Sequence, residues 1–434
     1  MLTRYMNHNR FYQSLEAFET TDPHLSTLSQ RRYQYHFNWW ERLSSHTPGI
    51  YILTGGRQVG KSTSCKQMIL HYLQEKIVSP ERIFYLPCDE IYDPNTLSQT
   101  IRFFLEQATS FFLLIIDEIT FVKHWERAIK ALADEGYFQR GICLLTGSDL
   151  FILKEAAMSF PGRRGSADPT DFHLYPLSFR AYVQLLESDA DPSLDKLRTY
   201  FQDYLSCGGY LSAINDWAEY GIIQPATYLT YEQWIRGDFI KQRKQEHTLS
   251  SVLLALMTVA SSQVSYSKLT QKIGTLNKDT CIDYCHLLER MGVILSLKAY
   301  DQNKKEGAPR KDQKFHFQDP FIYHTLLRWL KRETGCTLLL QESTLVEASV
   351  ASHCAQRGRT YYFKGQGEID VIWLHDQKTE ALEVKWTNQL HTYDLKMLRS
   401  FPNALILTKN PVIGKKEGID AEPVYKYLYN LKDI

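Results

Sequence analysis

The sequence predicts an α/β protein whose N-terminal half contains a parallel β-sheet. Four almost wholly apolar stretches alternate there with segments of helical periodicity, and they lie within residues 50–54, 82–89, 111–118 and 141–148. Strands that are apolar on both faces are typical of a parallel sheet covered by helices on both sides. The chain of 434 residues is also long enough for about two to four domains with cores of their own.

The order of the patterns predicts five parts along the chain. A polar, helical N-terminal extension (1–48) precedes the core that contains the parallel sheet (49–180). A mostly helical lid (181–245) follows, and then a winged-helix-like segment (246–325). The last part (330–434) mixes strands with helices.

Composition and charge are those of an ordinary globular protein. Hydrophobic residues make up 44% of the chain, and 50 basic residues balance 49 acidic ones. This balance argues against a surface that is basic overall, but it is compatible with a local basic patch. No apolar run approaches the ~18 residues that a membrane helix needs, and the N-terminus lacks the apolar core of a signal peptide. We therefore expect a cytoplasmic protein with no membrane partner, whose eight scattered cysteines are reduced core residues.

The segment GGRQVGKST satisfies the phosphate-binding pattern G-x-x-x-x-G-K-[ST]. It follows a predicted strand and precedes a predicted helix, which is the context that the pattern requires. Glycines let backbone N–H groups turn towards a phosphate, and the start of the helix adds the positive end of its dipole. We expect Lys61 to reach the β- and γ-phosphates of ATP and the Ser62 hydroxyl to bind Mg²⁺. The predicted cofactor-binding residues of this loop are Gly55, Gly56, Arg57, Gln58, Val59, Gly60, Lys61, Ser62 and Thr63.

A second predicted strand, FFLLIIDE, ends in the two carboxylates Asp117 and Glu118. At the carboxyl end of its strand, Asp117 is expected to bind the nucleotide and, with Ser62, its Mg²⁺, while Glu118 polarises the attacking water. Ser148 follows the next strand, where it can touch the γ-phosphate or that water. The alternative is a pair of surface carboxylates that merely end a strand, and the order of the two motifs favours the catalytic interpretation.

Downstream, PGRRG contains the neighbouring arginines Arg163 and Arg164. Either is a candidate arginine finger, a side chain that stabilises transferred charge within one subunit or in a neighbouring subunit. The same pair would equally suit a solvated basic loop. The sequence leaves both interpretations open.

These motifs together resemble the prokaryotic AAA+-like ATPases that carry a C-terminal domain of unknown function. The resemblance rests on GGRQVGKST, IIDEITFVKHWERAIKAL, LLTGSDLFIL, PGRRG and FHLYPLSFRAYVQL, and on the paired Gly208 and Gly209. In many relatives a proline follows these glycines, whereas Tyr210 and Leu211 stand here. The resemblance spans most of residues 50–410 and implies an ATPase that uses ATP and Mg²⁺.

Residues 264–300 have the pattern of a helix-turn-helix followed by a strand. Gly292 stands where it would end the second helix, and we expect a polar, basic loop at 307–313 before a second wing strand. A winged helix can place its second helix in the major groove of DNA. Here that helix is not strongly basic, because acidic residues such as Asp279 balance Lys278. DNA contact and a protein-interaction role both stay open.

The C-terminal part contains Glu347, Asp370, Glu383 and Lys385 in the order Glu…Asp…Glu-x-Lys. Glu383 and Lys385 lie two apart on one predicted strand and therefore share a face. The order resembles the PD-(D/E)xK nuclease superfamily, although Ile369 replaces its usual proline. The resemblance implies that Asp370 and Glu383 bind Mg²⁺, that Lys385 activates a water and that Glu347 assists. A nuclease-like fold used only for binding, or a coincidental charge pattern, stays open.

The patterns predict the fold class α/β, with an N-terminal P-loop parallel-sheet ATPase, a helical lid, a winged-helix segment and a C-terminal α/β nuclease-like domain. The predicted function is ATP hydrolysis coupled to a nuclease-like module that acts on nucleic acid. The alternative is a nucleotide-driven regulatory switch or scaffold whose winged-helix and nuclease-like domains only bind partners. Nucleic acid is the expected partner, and a homo-oligomer or a protein partner is compatible with both.

Overall fold

The computed structural model describes two compact units. They comprise Met1–Tyr175 and Pro176–Ile434. Their boundary lies close to the predicted end of the core at residue 180, and the finer division into five parts stays a prediction. The described residues are 2–43, 47–148, 162–165, 168–187, 191–274, 276–386, 392–411 and 418–432.

A five-stranded parallel sheet with the order β2-β3-β4-β1-β5 forms the centre of the first unit. Its first four strands confirm the four apolar stretches, whereas the short, partly exposed β5 was not predicted. The strands are β1 (Gly49–Gly55), β2 (Ile83–Pro87), β3 (Leu113–Asp117), β4 (Ile142–Gly147) and β5 (Asp171–Leu174). The helices are α1 (Leu15–Thr21), α2 (Pro23–Ser29), α3 (Lys61–Gln74), α4 (Pro94–Gln107) and α5 (Trp125–Asp134).

Alternate side chains of β1 to β4 fill two separate cores on opposite faces of this sheet. Ile52 and Ile116 lie in the core that includes residues of α4 and α5. Leu53 and Ile115 lie in the other core, with residues of α3 and of the N-terminal segment, residues 2–43. Burial on both faces explains why these strands are apolar throughout.

The second unit contains a mixed eight-stranded sheet with the order β13-β12-β11-β10-β9-β7-β8-β6. Its strands are β6 (Gln263–Val264), β7 (Ile294–Asp301), β8 (Glu306–Phe317), β9 (Arg359–Lys364), β10 (Glu368–His375), β11 (Lys378–Lys385), β12 (Asn403–Thr408) and β13 (Asp420–Pro423). Its helices are α6 (Phe179–Leu186), α7 (Leu194–Cys207), α8 (Leu211–Tyr220), α9 (Pro225–Lys241), α10 (Glu246–Thr258), α11 (Tyr266–Ile273), α12 (Lys278–Arg290), α13 (Pro320–Thr334), α14 (Glu342–Arg357), α15 (Thr392–Leu398) and α16 (Val424–Asn430).

The order α10-β6-α11-α12-β7-β8 is that of a helix-turn-helix followed by a β-hairpin. Gly292 lies just beyond α12 with a φ of +71°, as expected for a residue that ends a helix. The predicted loop at 307–313 is wrong, because these residues belong to β8. Gly307, Ala308 and Gln313 pair with β7, and the register shifts between Lys298 and Ala299. Pairing with a neighbouring strand overrides the low strand propensity of a glycine-, proline- and lysine-rich sequence.

The first residues of the second unit are anchored to α7, to the loop that follows α7, and to α14. The Leu177 amide donates to the Gly209 carbonyl (2.8 Å), and the Tyr204 hydroxyl donates to the Leu177 carbonyl (2.9 Å). The Phe179 amide donates to Nε2 of His353 on α14 (2.8 Å). The segment Pro176–Phe179, which is part of the motif FHLYPLSFRAYVQL, is therefore fixed within the second unit.

None of the helices described here is both long enough and apolar enough to cross a membrane.

Candidate nucleotide-binding site

The phosphate-loop motif connects the carboxyl end of β1 to the start of α3. Gly55 has a φ of +156°, and a Cβ there would lie 2.5 Å from the Leu174 carbonyl oxygen. Gly60 has a φ of +104°, and a Cβ there would lie 3.0 Å from the Phe37 ring. Both positions therefore require glycine, and the loop backbone passes close to its neighbours.

Lys61 begins α3, and its buried ammonium group lies inside the loop. Its Nζ donates to the carbonyl oxygens of Gly55 (3.0 Å) and Gly56 (3.1 Å). The same atom lies 3.4 Å from Oε1 of Glu118. A single cation therefore links the loop to the carboxylate that follows β3.

Asp117 is the buried last residue of β3, and three hydroxyl groups donate to its carboxylate. Ser62 donates to Oδ2 at 2.7 Å, Tyr85 donates to the same oxygen, and Thr146 donates to Oδ1. Burial, and next the negative charge of Asp117, raise the pKa of Tyr85 well above its ordinary value. The Tyr85 hydroxyl therefore remains a proton donor at neutral pH.

Glu118 adopts a left-handed backbone conformation with a φ of +51°. Its amide donates to the Thr146 hydroxyl (3.0 Å), and its Oε2 accepts a hydrogen bond from the Ser148 amide (3.2 Å). The structure thus brings Lys61, Ser62, Asp117, Glu118 and Ser148 together, as the motifs predicted.

The two predicted arginines lie elsewhere. Arg164 forms an ion pair with Asp171 (2.6 Å), and its carbonyl accepts a hydrogen bond from the Ile50 amide at the start of β1. Arg163 forms an ion pair with Asp134 at the end of α5. Lys61 follows the opposite, carboxyl end of β1, so this placement does not favour a finger acting on the unit's own loop.

The residues present fit a magnesium-bound nucleotide. The Ser62 hydroxyl and the Asp117 carboxylate offer adjacent oxygen ligands, the kind that Mg²⁺ prefers. The Lys61 ammonium and the first turn of α3 provide positive charge for phosphate groups beside them.

In the second unit, three carboxylates surround a lysine that the motifs did not include. Nζ of Lys314, on β8, lies 2.6 Å from Glu368, 2.9 Å from Glu347 and 3.0 Å from Asp370. Only 1% of the lysine side chain is exposed. The second oxygen of Asp370 accepts a hydrogen bond from the Val384 amide (3.0 Å). Buried charges require such pairing.

Burial and the neighbouring charges shift the pKa values of the groups in this cluster. Burial, and next Asp370, raise the pKa of Glu347 to about 8, against the opposing effect of Lys314. Burial lowers the pKa of Lys314, but the three carboxylates outweigh it and raise the pKa above its ordinary value. Burial, and next Lys314, lower the pKa of the adjacent His316 to about 3. The cluster therefore holds a proton on Glu347 near neutral pH.

The remaining predicted nuclease residues lie on β11. Glu383 is buried, and its Oε1 lies 2.9 Å from Nζ of Lys385. Their shared face is as predicted. Within the part of the chain that the structure describes, no group of three or more His, Cys, Asp or Glu side chains is arranged to hold a metal ion.

Comparison with known families finds matches for two regions of the chain. Residues 47–183 match the model of an AAA domain, and residues 198–333 match a domain of unknown function. Residues 47–183, called the ATPase domain below, are therefore similar to an AAA-type P-loop ATPase domain. The unknown-function match covers the helical and helix-turn-helix regions, whereas the sequence resemblance had placed such a domain at the C-terminus.

Individual relatives are distant. An uncharacterised protein of Haemophilus influenzae is 27% identical over 287 residues, which cover 63% of this chain and 68% of that protein. One of Methanocaldococcus jannaschii is 25% identical over 301 residues, and the chain spans only 60% of its length. A Walker-type ATPase of Pyrococcus abyssi is 14% identical with a TM-score of 0.44, covering 64% of this chain and 91% of that one.

Three residues of the nucleotide-binding site and of the Lys314 cluster were not predicted from the sequence. Tyr85 and Thr146 bind Asp117, but each lies inside an apolar strand and looks like a core residue in the sequence. Lys314 starts the stretch KFHFQD, whose alternation predicted only a strand. The only sign of this lysine's role in the sequence is its alternation with His316 on one strand. That pattern does not identify the carboxylates that pair with the lysine.

Proposed function

We propose that the chain binds and hydrolyses ATP at this site and that the nucleotide state acts as a switch on the second unit. The observation that carries the proposal is the pair formed by the Ser62 hydroxyl and the Asp117 carboxylate, 2.7 Å apart at the start of α3. Glu118 and Lys61 lie beside this pair. A phosphate-binding lysine, a metal-binding pair and a carboxylate for water are the parts that ATP hydrolysis needs.

Phosphate binding would change the hydrogen-bond acceptors of the Lys61 ammonium group. Its ammonium group now donates to the Gly55 and Gly56 carbonyls, and a β,γ-phosphate would offer charged acceptors in their place. The first N–H groups of α3 have no partner within the helix and point towards the same position.

Hydrolysis would depend on Glu118. Its carboxylate lies between Lys61 and the Ser148 amide, and release from Lys61 on phosphate binding would free Oε1 to orient a water. Ser62 and Asp117 would hold Mg²⁺, which when bound neutralises charge on the phosphate oxygens.

The chain itself supplies a short route from this site to the second unit. The last residue of β5, Leu174, pairs with Gly55 of the loop. Tyr175 follows, and Leu177 is already hydrogen bonded within the second unit. A shift of the loop on nucleotide binding would therefore pull on an anchored segment after only two residues. This favours a switch over two independent modules.

We propose nucleic acid as the partner of the second unit. The hairpin of β7 and β8 exposes Lys304 and Lys305 near its tip and Lys311 along β8. Lysines on such a hairpin suit contact with phosphates, whereas α12 carries balanced charge. Reversal of Lys304 and Lys305 to glutamate should weaken binding to a DNA or RNA duplex and flatten its salt dependence; unchanged binding would argue for a protein partner.

A metal-dependent nuclease is the second candidate. The observation that favours it is the convergence of Glu347, Glu368 and Asp370 on one cation. Because that cation is the Lys314 ammonium group of the chain itself, the geometry favours a module that binds nucleic acid over one that cleaves it. Cleavage of DNA or RNA with Mg²⁺ or Mn²⁺ that is lost in the Glu383→Ala, Lys385→Ala double variant would establish the nuclease instead.

The ATPase proposal is tested by the steady-state release of phosphate from ATP. Glu118→Gln should lower kcat by about a hundredfold or more, the usual contribution of a general base, while nucleotide binding persists. Glu126→Gln, which changes a carboxylate in the first turn of α5, is the matched control and should leave kcat unchanged. Equal rates for the two variants would refute the role of Glu118.

A further inference from the structure

One edge of the sheet in the ATPase domain is hydrogen bonded to a side chain of the N-terminal segment. β2 is an edge strand. The buried Asn9 accepts from the Tyr85 amide through Oδ1 (2.8 Å) and donates to the Tyr85 carbonyl through Nδ2 (2.9 Å). Its amide thus replaces a neighbouring strand at one residue and fixes the backbone position of Tyr85.

The Tyr85 side chain connects this edge with the nucleotide site. Its hydroxyl donates to Oδ2 of Asp117, the oxygen that also accepts from Ser62. On the other side, Nζ of Lys66 lies 3.7 Å from the centre of the Tyr85 ring. Such a desolvated cation–π contact restrains the ring.

Lys66 is itself held by the N-terminal segment. Only 1% of its side chain is exposed, and its ammonium lies 3.1 Å from Oδ2 of Asp22 and donates to the His8 carbonyl (2.5 Å). Asp22 caps the start of α2 through its other oxygen. A continuous series of contacts therefore runs from Asp22 through Lys66 and Tyr85 to Asp117.

We propose that Tyr85 is a positioning residue for the metal-binding carboxylate Asp117, and that the N-terminal segment acts on the nucleotide site through it. This inference rests on the proposed ATPase function. Without the Tyr85 hydroxyl, the carboxylate loses one of its three donors and can turn away from Ser62. The site should then bind Mg²⁺ with nucleotide less tightly, while binding of the nucleotide alone is spared.

The test measures equilibrium binding of a non-hydrolysable ATP analogue to the full chain while Mg²⁺ is titrated. Tyr85→Phe should raise the Mg²⁺ concentration for half-maximal binding about tenfold, which corresponds to about 1.4 kcal/mol. Binding without Mg²⁺ should change less than about twofold. Tyr12→Phe is the matched control, because its hydroxyl donates to the Ile83 carbonyl of the same strand (2.6 Å).

The double variant Lys66→Met, Asp22→Asn extends the test to the N-terminal segment. It removes both buried charges together, and asparagine still caps a helix. The same direction of change in Mg²⁺ dependence is expected. The inference is overturned if Tyr85→Phe and Tyr12→Phe behave alike, or if Tyr85→Phe weakens binding equally with and without Mg²⁺. Failure of the wild-type chain to bind the analogue at all would refute the proposed function instead.

Discussion

At the residue scale, the nucleotide site depends on one carboxylate that three elements hold. Asp117 ends β3, and its hydroxyl donors come from α3 (Ser62), β2 (Tyr85) and β4 (Thr146). The side chain is therefore oriented only when the strands have their native register and α3 starts at its native position. Such support from packed elements is what precise positioning of a functional group requires.

Gly55→Ala should disrupt this site without unfolding the protein. A Cβ would collide with the Leu174 carbonyl oxygen at 2.5 Å and strain a backbone φ of +156°. Nucleotide affinity should fall at least about tenfold as the loop shifts. Gly237→Ala is the control, since nothing lies within 4 Å of its Cβ in α9, and alanine there should stabilise the helix by up to about 1 kcal/mol. Titration with nucleotide measures the affinity of each variant, and the thermal midpoint of unfolding measures its stability. Equal nucleotide affinities for the two variants would contradict the close packing of the loop at Gly55.

At the element scale, the segment Pro176–Phe179 is held to α14 by a buried histidine. Nε2 of His353 accepts from the Phe179 amide, and its Nδ1 donates to the Ser349 carbonyl (2.7 Å). Burial, and next the positive charge of Arg357, lower the pKa of His353 to about 3. The histidine is therefore neutral in the folded unit over the whole neutral range.

This depressed pKa makes stability dependent on pH. Below the pKa of an unfolded histidine, about 6.5, the unfolded chain binds a proton that the folded chain does not. His353 should therefore lower stability as pH falls from 6.5 towards 3, with a slope of about 1.4 kcal/mol per pH unit. His353→Gln keeps an acceptor for the Phe179 amide and should flatten the slope of the thermal midpoint against pH. The control His286→Gln, on the exposed face of α12, should leave this slope unchanged. Equal slopes for the two variants would contradict the assignment of His353 as a buried neutral histidine.

The elements differ in how far the sequence determines them. The strands β1 to β4 are apolar on both faces, so local composition is enough to predict them and to place Asp117 and Glu118 at a strand end. β5 depends on pairing with the distant β1, and residues 307–313 depend on pairing with β7 of the same hairpin; composition alone encodes neither. Lys314 forms ion pairs with carboxylates of β10 and α14, and only the tertiary fold brings these side chains together.

At the scale of the whole molecule, the central expectation is that nucleotide binding in the first unit also changes the start of the second unit, which begins at Pro176. Hydrogen exchange should slow in residues 55–63 when ATP and Mg²⁺ are added, and the change should continue through β5 into residues 176–179. The reason is the short covalent path from Leu174, beside Gly55, to the anchored Leu177. In Lys61→Ala the difference should vanish. A change confined to the loop would contradict the switch.

Equilibrium binding of ATP with Mg²⁺ to the wild-type chain and to Lys61→Ala tests the account most directly. The Lys61 ammonium would make charge-assisted bonds to phosphate, so its loss should weaken binding about a hundredfold. Lys76→Ala, an exposed lysine just beyond α3, should bind as the wild type does. If Lys61→Ala binds ATP as tightly as the wild-type chain, or if the wild-type chain does not bind ATP, the nucleotide site described here is wrong.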